Sequence, residues 1–233
     1  MELTKRKLLQ AGILEEFWDK DFNNFYGHEE KRNELQPKVI QWNTAYPDIP
    51  INLNFNQGQR ILEEVMEYAQ NLKNARKHGI SLFLFGPNGS GKTLLAVSVL
   101  KEALRQGFSA QMSSLGGIIE ATTAGWYNST KKEVFESKIK NVDFLLIDDI
   151  GKEYKAKGNN LVEVAFDNLI RYRSFRNKPI IFTSNTKLQE LNTTYGQSVS
   201  SLLIGKCIAI RVAGDDYRKV IQAKELRKLL KNG

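Results

Sequence analysis

The sequence predicts an α/β fold in which a parallel β-sheet is flanked by helices. Three observations predict it. Short, largely apolar runs at 81–85 and 142–147 read as strands buried on both faces. Segments whose apolar residues recur every 3.6 positions alternate with them. A glycine-rich turn joins the first run directly to one of these helical segments. Strands that alternate with helices need crossover connections, and these build a parallel sheet.

The elements follow in order. Residues 1–55 look irregular: Leu8, Leu9 and Ile13 share one face of a short helix, and an aromatic stretch follows with Phe17, Trp18, Phe22, Phe25 and Tyr26. That stretch is too short for a core of its own and is expected to pack onto a neighbouring domain. Pro37, Pro47 and Pro50 punctuate what comes next. Ile61, Leu62, Val65, Met66, Ala69 and Leu72 keep a helical period, so 57–77 reads as one amphipathic helix with Gly79 as its C-terminal cap. The strand at 81–85 leads into a helix at 92–106, closed by Gly107, and then a weaker strand at 108–113. Residues 115–140 hold one or two helices with a polar break at Asn128, Ser129 and Thr130. A second buried strand at 142–147 ends on Asp148 and Asp149. A helix at 161–173 turns Val162, Ala165, Phe166, Leu169 and Ile170 inward; strands at 179–185 and 207–212 and a basic helix at 219–230 complete the chain.

Composition bounds the function. A length of 233 residues is one ordinary domain, or one domain plus an appendage. With 41% hydrophobic and 26% charged residues, wholesale disorder is excluded. The single cysteine, Cys207, excludes a disulfide framework and a multi-cysteine zinc site, and His28 and His78 leave little for a histidine metal centre. No apolar run approaches the ~20 residues that span a bilayer, and the N-terminus carries no signal-peptide pattern. A soluble, cytoplasmic protein without a membrane partner is expected. The net charge of +8 favours an anionic partner, of which nucleic acid is the commonest.

Gly86, Pro87, Asn88, Gly89, Ser90, Gly91, Lys92 and Thr93 match G-x-x-x-x-G-K-[ST] between a strand and a helix. Glycines let backbone N–H groups turn inward around phosphate oxygens, and the helix N-terminus adds its positive dipole end. Lys92 is expected to reach the β- and γ-phosphates of ATP, and the Thr93 hydroxyl to ligate Mg²⁺. Asp148 and Asp149 end an apolar strand, where two adjacent carboxylates repel each other unless a cation is close. Asp148 is expected to hold the Mg²⁺ through water, and Asp149 to polarise the attacking water, a role more often given to Glu. The bland alternatives are a glycine turn that binds nothing and a solvated strand end. The carboxyl end of a central strand is, however, where α/β sheets bind ligands.

These residues, with the Phe144–Gly151 run, Arg171-Tyr172-Arg173, Thr183-Ser184-Asn185 and Gly214-Asp215-Asp216-Tyr217-Arg218, resemble the AAA+ ATPases of the DnaC/DnaI helicase-loader and IstB transposition-helper group. Ala11-Gly12-Ile13 and Phe22-Asn23-Asn24-Phe25 look like the lead-in to that module, so the resemblance covers nearly the whole chain. It implies an AAA+ P-loop NTPase fold with little or no helical lid, a lead-in segment over 1–55 and an ATPase domain over 56–233. It implies that Asn185 is the sensor-1 residue positioning the water, that Arg218 is the sensor-2 arginine on the phosphates, and that residues 21–25 lie near the adenine. The plain alternatives are a strand-end cap, a solvated arginine and a hydrophobic latch. Two departures stand out. Only about 55 residues precede the ATPase helix, where helicase loaders carry a separate helicase-gripping domain. No arginine precedes Leu203-Ile204-Gly205, where the family has an arginine finger; Arg171 and Lys206 are the candidates to replace it.

The family lines a single-stranded DNA path with the element that is 115–140 here. Trp126, Tyr127, Lys131 and Lys132, with Lys138 and Lys140, suit that role, because bases stack on rings while ammonium groups track phosphates. Core aromatics beside a solvated basic face are the alternative. The basic tail with Arg218, Lys219, Lys224, Arg227, Lys228 and Lys231 is a second candidate, or a solvated helix face. The resemblance implies a helicase loader, chromosomal or phage-encoded, that uses ATP and Mg²⁺ to deliver a replicative DNA helicase, assembling with copies of itself or with a partner ATPase. The alternative is a transposition helper that binds duplex DNA and recruits a transposase. A metabolic P-loop kinase would lack the sensor-type Asn and Arg. A module that binds nucleotide without hydrolysing it is kept open by the missing finger.

Overall fold

The computed structural model describes residues 3–151 and 161–218, with the backbone alone for 123–127 and 161–163. The expected basic helix at 219–230 lies outside the described residues.

Five parallel strands form one sheet in the order β2-β3-β4-β1-β5: β1 (Ser81–Phe85), β2 (Ala110–Ser114), β3 (Phe144–Ile150), β4 (Ile180–Ser184) and β5 (Cys207–Arg211). Successive side chains leave opposite faces of a strand. Leu82, Leu84, Phe144, Leu146 and Ile181 accordingly enter one core, and Phe83, Leu145, Ile147, Ile180 and Phe182 the other. The first core is covered by α3 (Phe55–Gln70) and α5 (Lys92–Arg105). The second is covered by α6 (Leu115–Tyr127), α8 (Leu161–Phe175) and α10 (Gln197–Lys206). Burial on both faces explains why the central strands read as unbroken apolar runs.

Two segments differ from expectation. The helix expected over 57–77 is two, α3 and α4 (Leu72–His78), joined at Asn71, whose side chain donates to the Glu67 carbonyl at 2.9 Å. Gly79 caps α4 as expected, with φ 67°. The short helix expected at Leu8 and Leu9 is α1 (Lys5–Gln10), but the stretch otherwise read as irregular also contains a 17-residue helix, α2 (Glu29–Ala45), with Pro37 inside it. Proline interrupts the hydrogen-bond ladder there, and only Leu35 and Val39 of this helix are buried, so no apolar stripe marks it. The polar break at 128 holds: Asn128 caps α7 (Ser129–Phe135) through Lys131 N at 3.0 Å.

The N-terminal segment is stitched to the first core. Leu8, Ile13, Phe25, Tyr26 and Leu35 lie in it. Lys101 of α5 donates to the carbonyls of Phe17, Trp18 and Lys20 at 3.1, 2.8 and 2.7 Å, and Met112 N donates to the Ala11 carbonyl at 2.7 Å. This fixes the segment beside the turn that follows β1. Among the described residues, no helix is long and apolar enough to cross a membrane.

Candidate active site

The turn 86–91 leaves β1 at the carboxyl end of the sheet and enters α5. Gly86, Gly89 and Gly91 have φ of 153°, 73° and 95°, a region other residues rarely adopt. Close packing forbids a side chain as well: a Cβ on Gly86 would lie 2.1 Å from the Val212 carbonyl oxygen, and one on Gly89 would lie 2.1 Å from the Asp216 carboxylate. Gly91 is the N-cap of α5 and supplies no side-chain cap. The first turn of α5 thus presents the positive end of its dipole to the loop, where an anion is favoured.

Lys92 is buried, and its ammonium donates to the carbonyls of Gly86 at 3.0 Å and Pro87 at 2.8 Å and to Asn185 Oδ1 at 2.9 Å. Asn185 Nδ2 donates in turn to Asp149 Oδ1 at 3.0 Å. One orientation of the amide serves both neighbours, since an ammonium only donates and a carboxylate only accepts. Thr93 Oγ1 donates to Asp148 Oδ1 at 3.0 Å. Lys92, Thr93, Asp148, Asp149 and Asn185, read separately from the sequence, therefore form one constellation.

A β-bulge lets both carboxylates join it. In register, Ile147 pairs with Phe182 and Ile150 with Ser184, so β3 carries one residue more than β4 at the two aspartates. Without it, adjacent side chains would leave opposite faces of the sheet. The bulge puts Asp149 in the left-handed region with φ 59°. Thr183 of β4, itself buried, holds it there: its hydroxyl accepts from Asp149 N at 2.7 Å and donates to Asp148 Oδ1 at 2.6 Å. Thr183 was not among the residues the sequence singled out by role. Its signal is the first hydroxyl after the apolar run 180–182, close before Asn185.

A cavity of about 530 Å³ opens onto these groups, lined by Gly91, Lys92, Thr93 and Asp148 on one side and by Phe17, Asn24, Lys31 and Arg218 on the other. Arg218 stands at this wall with its fork on Asp216, at 2.9 and 3.0 Å. That pairing, partly offset by burial, raises the pKa of Arg218 further above its ordinary range. Of residues 21–25, Asn24 faces the cavity, while Phe25 is fully buried.

The glycine loop, a buried lysine and a helix N-terminus suit a polyphosphate. For Mg²⁺, Thr93 and Asp148 provide the oxygen ligands, and the ion usually completes its shell with water and substrate phosphates. Among the described residues, no cluster of three His, Cys, Asp or Glu could hold a metal unaided.

The sequence matches the family described as IstB-like ATP binding protein over residues 49–225. The chain belongs to this family. Among curated relatives, the IstB-like chain is 28% identical over 149 residues to the Replicative helicase loader DnaC of Escherichia coli (strain K12), covering 63% of this chain and 60% of that protein. It is 27% identical over 183 residues to the Chromosomal replication initiator protein DnaA of Aquifex aeolicus (strain VF5), covering 76% of this chain and 44% of DnaA. The chain thus spans about 60% of the length of the DnaC relative. The crystal structure of the DnaC helicase loader superimposes with a TM-score of 0.64 at 20% identity, over 86% of this chain and 100% of that one. A replication initiator DnaA bound to AMPPCP and single-stranded DNA gives 0.55 at 26% identity, over 72% and 50%. The fold is that of AAA+ P-loop ATPase domains, as the resemblance implied.

The remaining expected residues lie elsewhere. Lys131 and Lys132 are exposed on α7. Trp126 and Tyr127 end α6, and their side chains lie outside the described residues. The arginine-finger stretch falls in α10, where Leu203 is buried and Ser201 exposed. Arg171 is held by Asp167 at 2.9 Å and by the Ser198 hydroxyl. Arg173 is a structural residue: its buried guanidinium donates to five backbone carbonyls, and burial lowers its pKa to about 9.

Proposed function

We propose that this protein is an ATPase that assembles on single-stranded DNA and delivers a replicative DNA helicase. The observation that carries the ATPase part is the constellation Lys92–Asn185–Asp149 beside Thr93–Asp148–Thr183 at the mouth of a glycine cradle. The similarity to DnaC and DnaA supports the replication role. In this reading the loop 86–93 binds the triphosphate, and Lys92 turns from the loop carbonyls to the β- and γ-phosphate oxygens. Thr93 and Asp148 hold Mg²⁺, which when bound spreads the negative charge of the phosphates. Asp149 accepts a proton or hydrogen bond from the attacking water, and Asn185 fixes the direction of its carboxylate. Arg218 leaves Asp216 to meet phosphate charge. Phe17 offers an apolar wall for the base. Lys131 and Lys132, with Trp126 and Tyr127, contact single-stranded DNA.

The family match itself favours a second reading, a transposition helper that acts on duplex DNA. The nucleotide part is tested by melting temperature, because a ligand that binds only the native state must raise it. ATP with Mg²⁺ raises it in the wild type and not in Lys92→Ala. No rise in the wild type refutes the reading. A preference for duplex over single strands selects the transposition helper.

A further inference from the structure

The nucleotide site occupies the carboxyl ends of the strands. The opposite end of the sheet carries a second concentration of chemistry, about 20 Å away at 3.3 Å per residue along β3. There α8 ends at Phe175, and the turn to β4 brings Arg176 and Lys178 beside Lys140 and Asn141, which precede β3. Beneath them lies Arg173, whose contacts with five neutral carbonyls leave its charge uncancelled. Two carboxylates face this group. Asp143 is taken up by Arg76 Nε at 2.9 Å and by the Ser109 hydroxyl at 2.7 Å, and Glu136 lies 3.7 Å from Lys140 Nζ. Five cations (Arg76, Lys140, Arg173, Arg176 and Lys178) therefore outnumber two anions. Burial and the crowding of Arg76, Arg173 and Arg176 lower the pKa of Lys178, so the region is short of negative charge.

Flat apolar faces are interleaved with these cations. Tyr172 lies between Lys140 Nζ at 5.0 Å and the Arg176 guanidinium at 4.0 Å from its ring centroid, and its hydroxyl donates to Asn141 Oδ1 at 2.8 Å. Phe175 is 82% exposed at the helix end. Among the described residues no carboxylate pairs with Arg176.

We propose that this end of the sheet binds single-stranded nucleic acid, with Arg176, Lys140 and Lys178 on the phosphodiester backbone and Phe175 stacked on a base. The cations match the charge of the backbone. An exposed phenyl ring can stack only on a base free of a duplex, which favours a single strand. An acidic protein would match the charge as well and is one outcome of the test; a ring set among cations fits a base between phosphates. The proposal rests on the single-strand reading above for its ligand; of its residues only Lys140 belongs to the 115–140 element, while Phe175, Arg176 and Lys178 lie on a separate one.

The test measures binding of a fluorescein-labelled oligothymidylate by anisotropy across a salt series, with no nucleotide added. Phe175→Ala with Arg176→Ala is compared with Lys131→Ala with Lys132→Ala. Both altered pairs are exposed, so melting temperature and the ATP-induced rise should stay unchanged. Loss of one stacked base lowers affinity about tenfold, and loss of one phosphate contact flattens the salt slope by about 0.7 for a single strand. Phe175→Trp should keep the affinity and show fluorescence quenching on binding. Wild-type affinity in the Phe175/Arg176 variant overturns the proposal; if the α7 variant then binds weakly, the α7 reading stands alone. Loss in the Phe175/Arg176 variant alone supports the proposal and removes α7. If the Phe175/Arg176 variant keeps the oligonucleotide but loses a helicase, the surface belongs to an acidic protein and the proposal is overturned. A wild type that does not bind the oligonucleotide overturns both.

Discussion

Replacing Thr183 with valine removes one oxygen atom and keeps the side chain's shape. In the native protein that oxygen accepts from Asp149 N at 2.7 Å and donates to Asp148 Oδ1 at 2.6 Å. Valine leaves the Asp149 N–H without this acceptor, which costs about 1–3 kcal/mol when the group is shut from water. The Asp148 carboxylate keeps Thr93 and loses a charge-assisted bond, worth about another 1 kcal/mol. Asp149 is held with φ 59°, a conformation that persists only when its surroundings enforce it. A total of about 2–4 kcal/mol lowers the melting temperature by roughly 5–12 °C for a chain of this size. Once the bulge relaxes, Asp149 no longer points along the Asn185 amide, and a displacement of this kind costs about 10²-fold in turnover. Thr183→Ser keeps the oxygen and should lose only about 1 kcal/mol, with turnover near wild type. The assay is thermal denaturation together with single-turnover ATP hydrolysis for all three proteins. A Thr183→Val protein that melts with the wild type and hydrolyses ATP at its rate refutes the role assigned to the bulge.

Two further outcomes follow from the site and from the sheet's far end. An arginine finger is worth about 10³–10⁵ in rate in other nucleotidases, and Ser201, Leu202 and Leu203 stand where it is expected. ATP turnover should therefore be slow and barely rise with protein concentration. A fast, concentration-dependent rate unaffected by Arg171→Ala shows that the finger lies elsewhere; loss of such a rate in that variant identifies Arg171. Burial alone would raise the pKa of Asp143, but hydrogen bonds from Ser109 and Arg76 prevail and hold it below the ordinary 3.8. A depressed folded-state pKa stabilises above the unfolded value and is lost as pH falls through the folded one. Asp143→Asn should flatten the loss of stability below about pH 4 in acid titrations followed by circular dichroism; an unchanged acid limb contradicts this.

Most of the site was legible because its chemistry depends on local pattern. Strand, glycine turn and helix are consecutive, so the phosphate loop reads directly from residues 81–93. Asp148 and Asp149 stood out as charges ending an apolar run. What joins them was not legible. The bulge depends on the register of β3 against β4, which are separated by a whole crossover, and Thr183 acquires its role only through that register. α2 escaped notice because two buried residues and an internal proline give no stripe. The break at Asn71 was hidden because the apolar repeat runs through it to Leu72 and Ala75, both buried. The concentration of cations at the far end of the sheet comes from three segments distant in sequence, at 76, 140 and 173–178.

In the proposed function, ATP binding at this site serves to place a ring helicase on DNA. The most direct measurement incubates the protein with a replicative helicase and a single-stranded DNA circle, with and without ATP and Mg²⁺, and separates circle-bound from free helicase. Helicase should reach the circle only when the wild-type protein and ATP are both present, and should fail to do so with Lys92→Ala. Helicase binding to the circle that is indifferent to the protein, together with recovery of a transposase on duplex DNA in its presence, would contradict it.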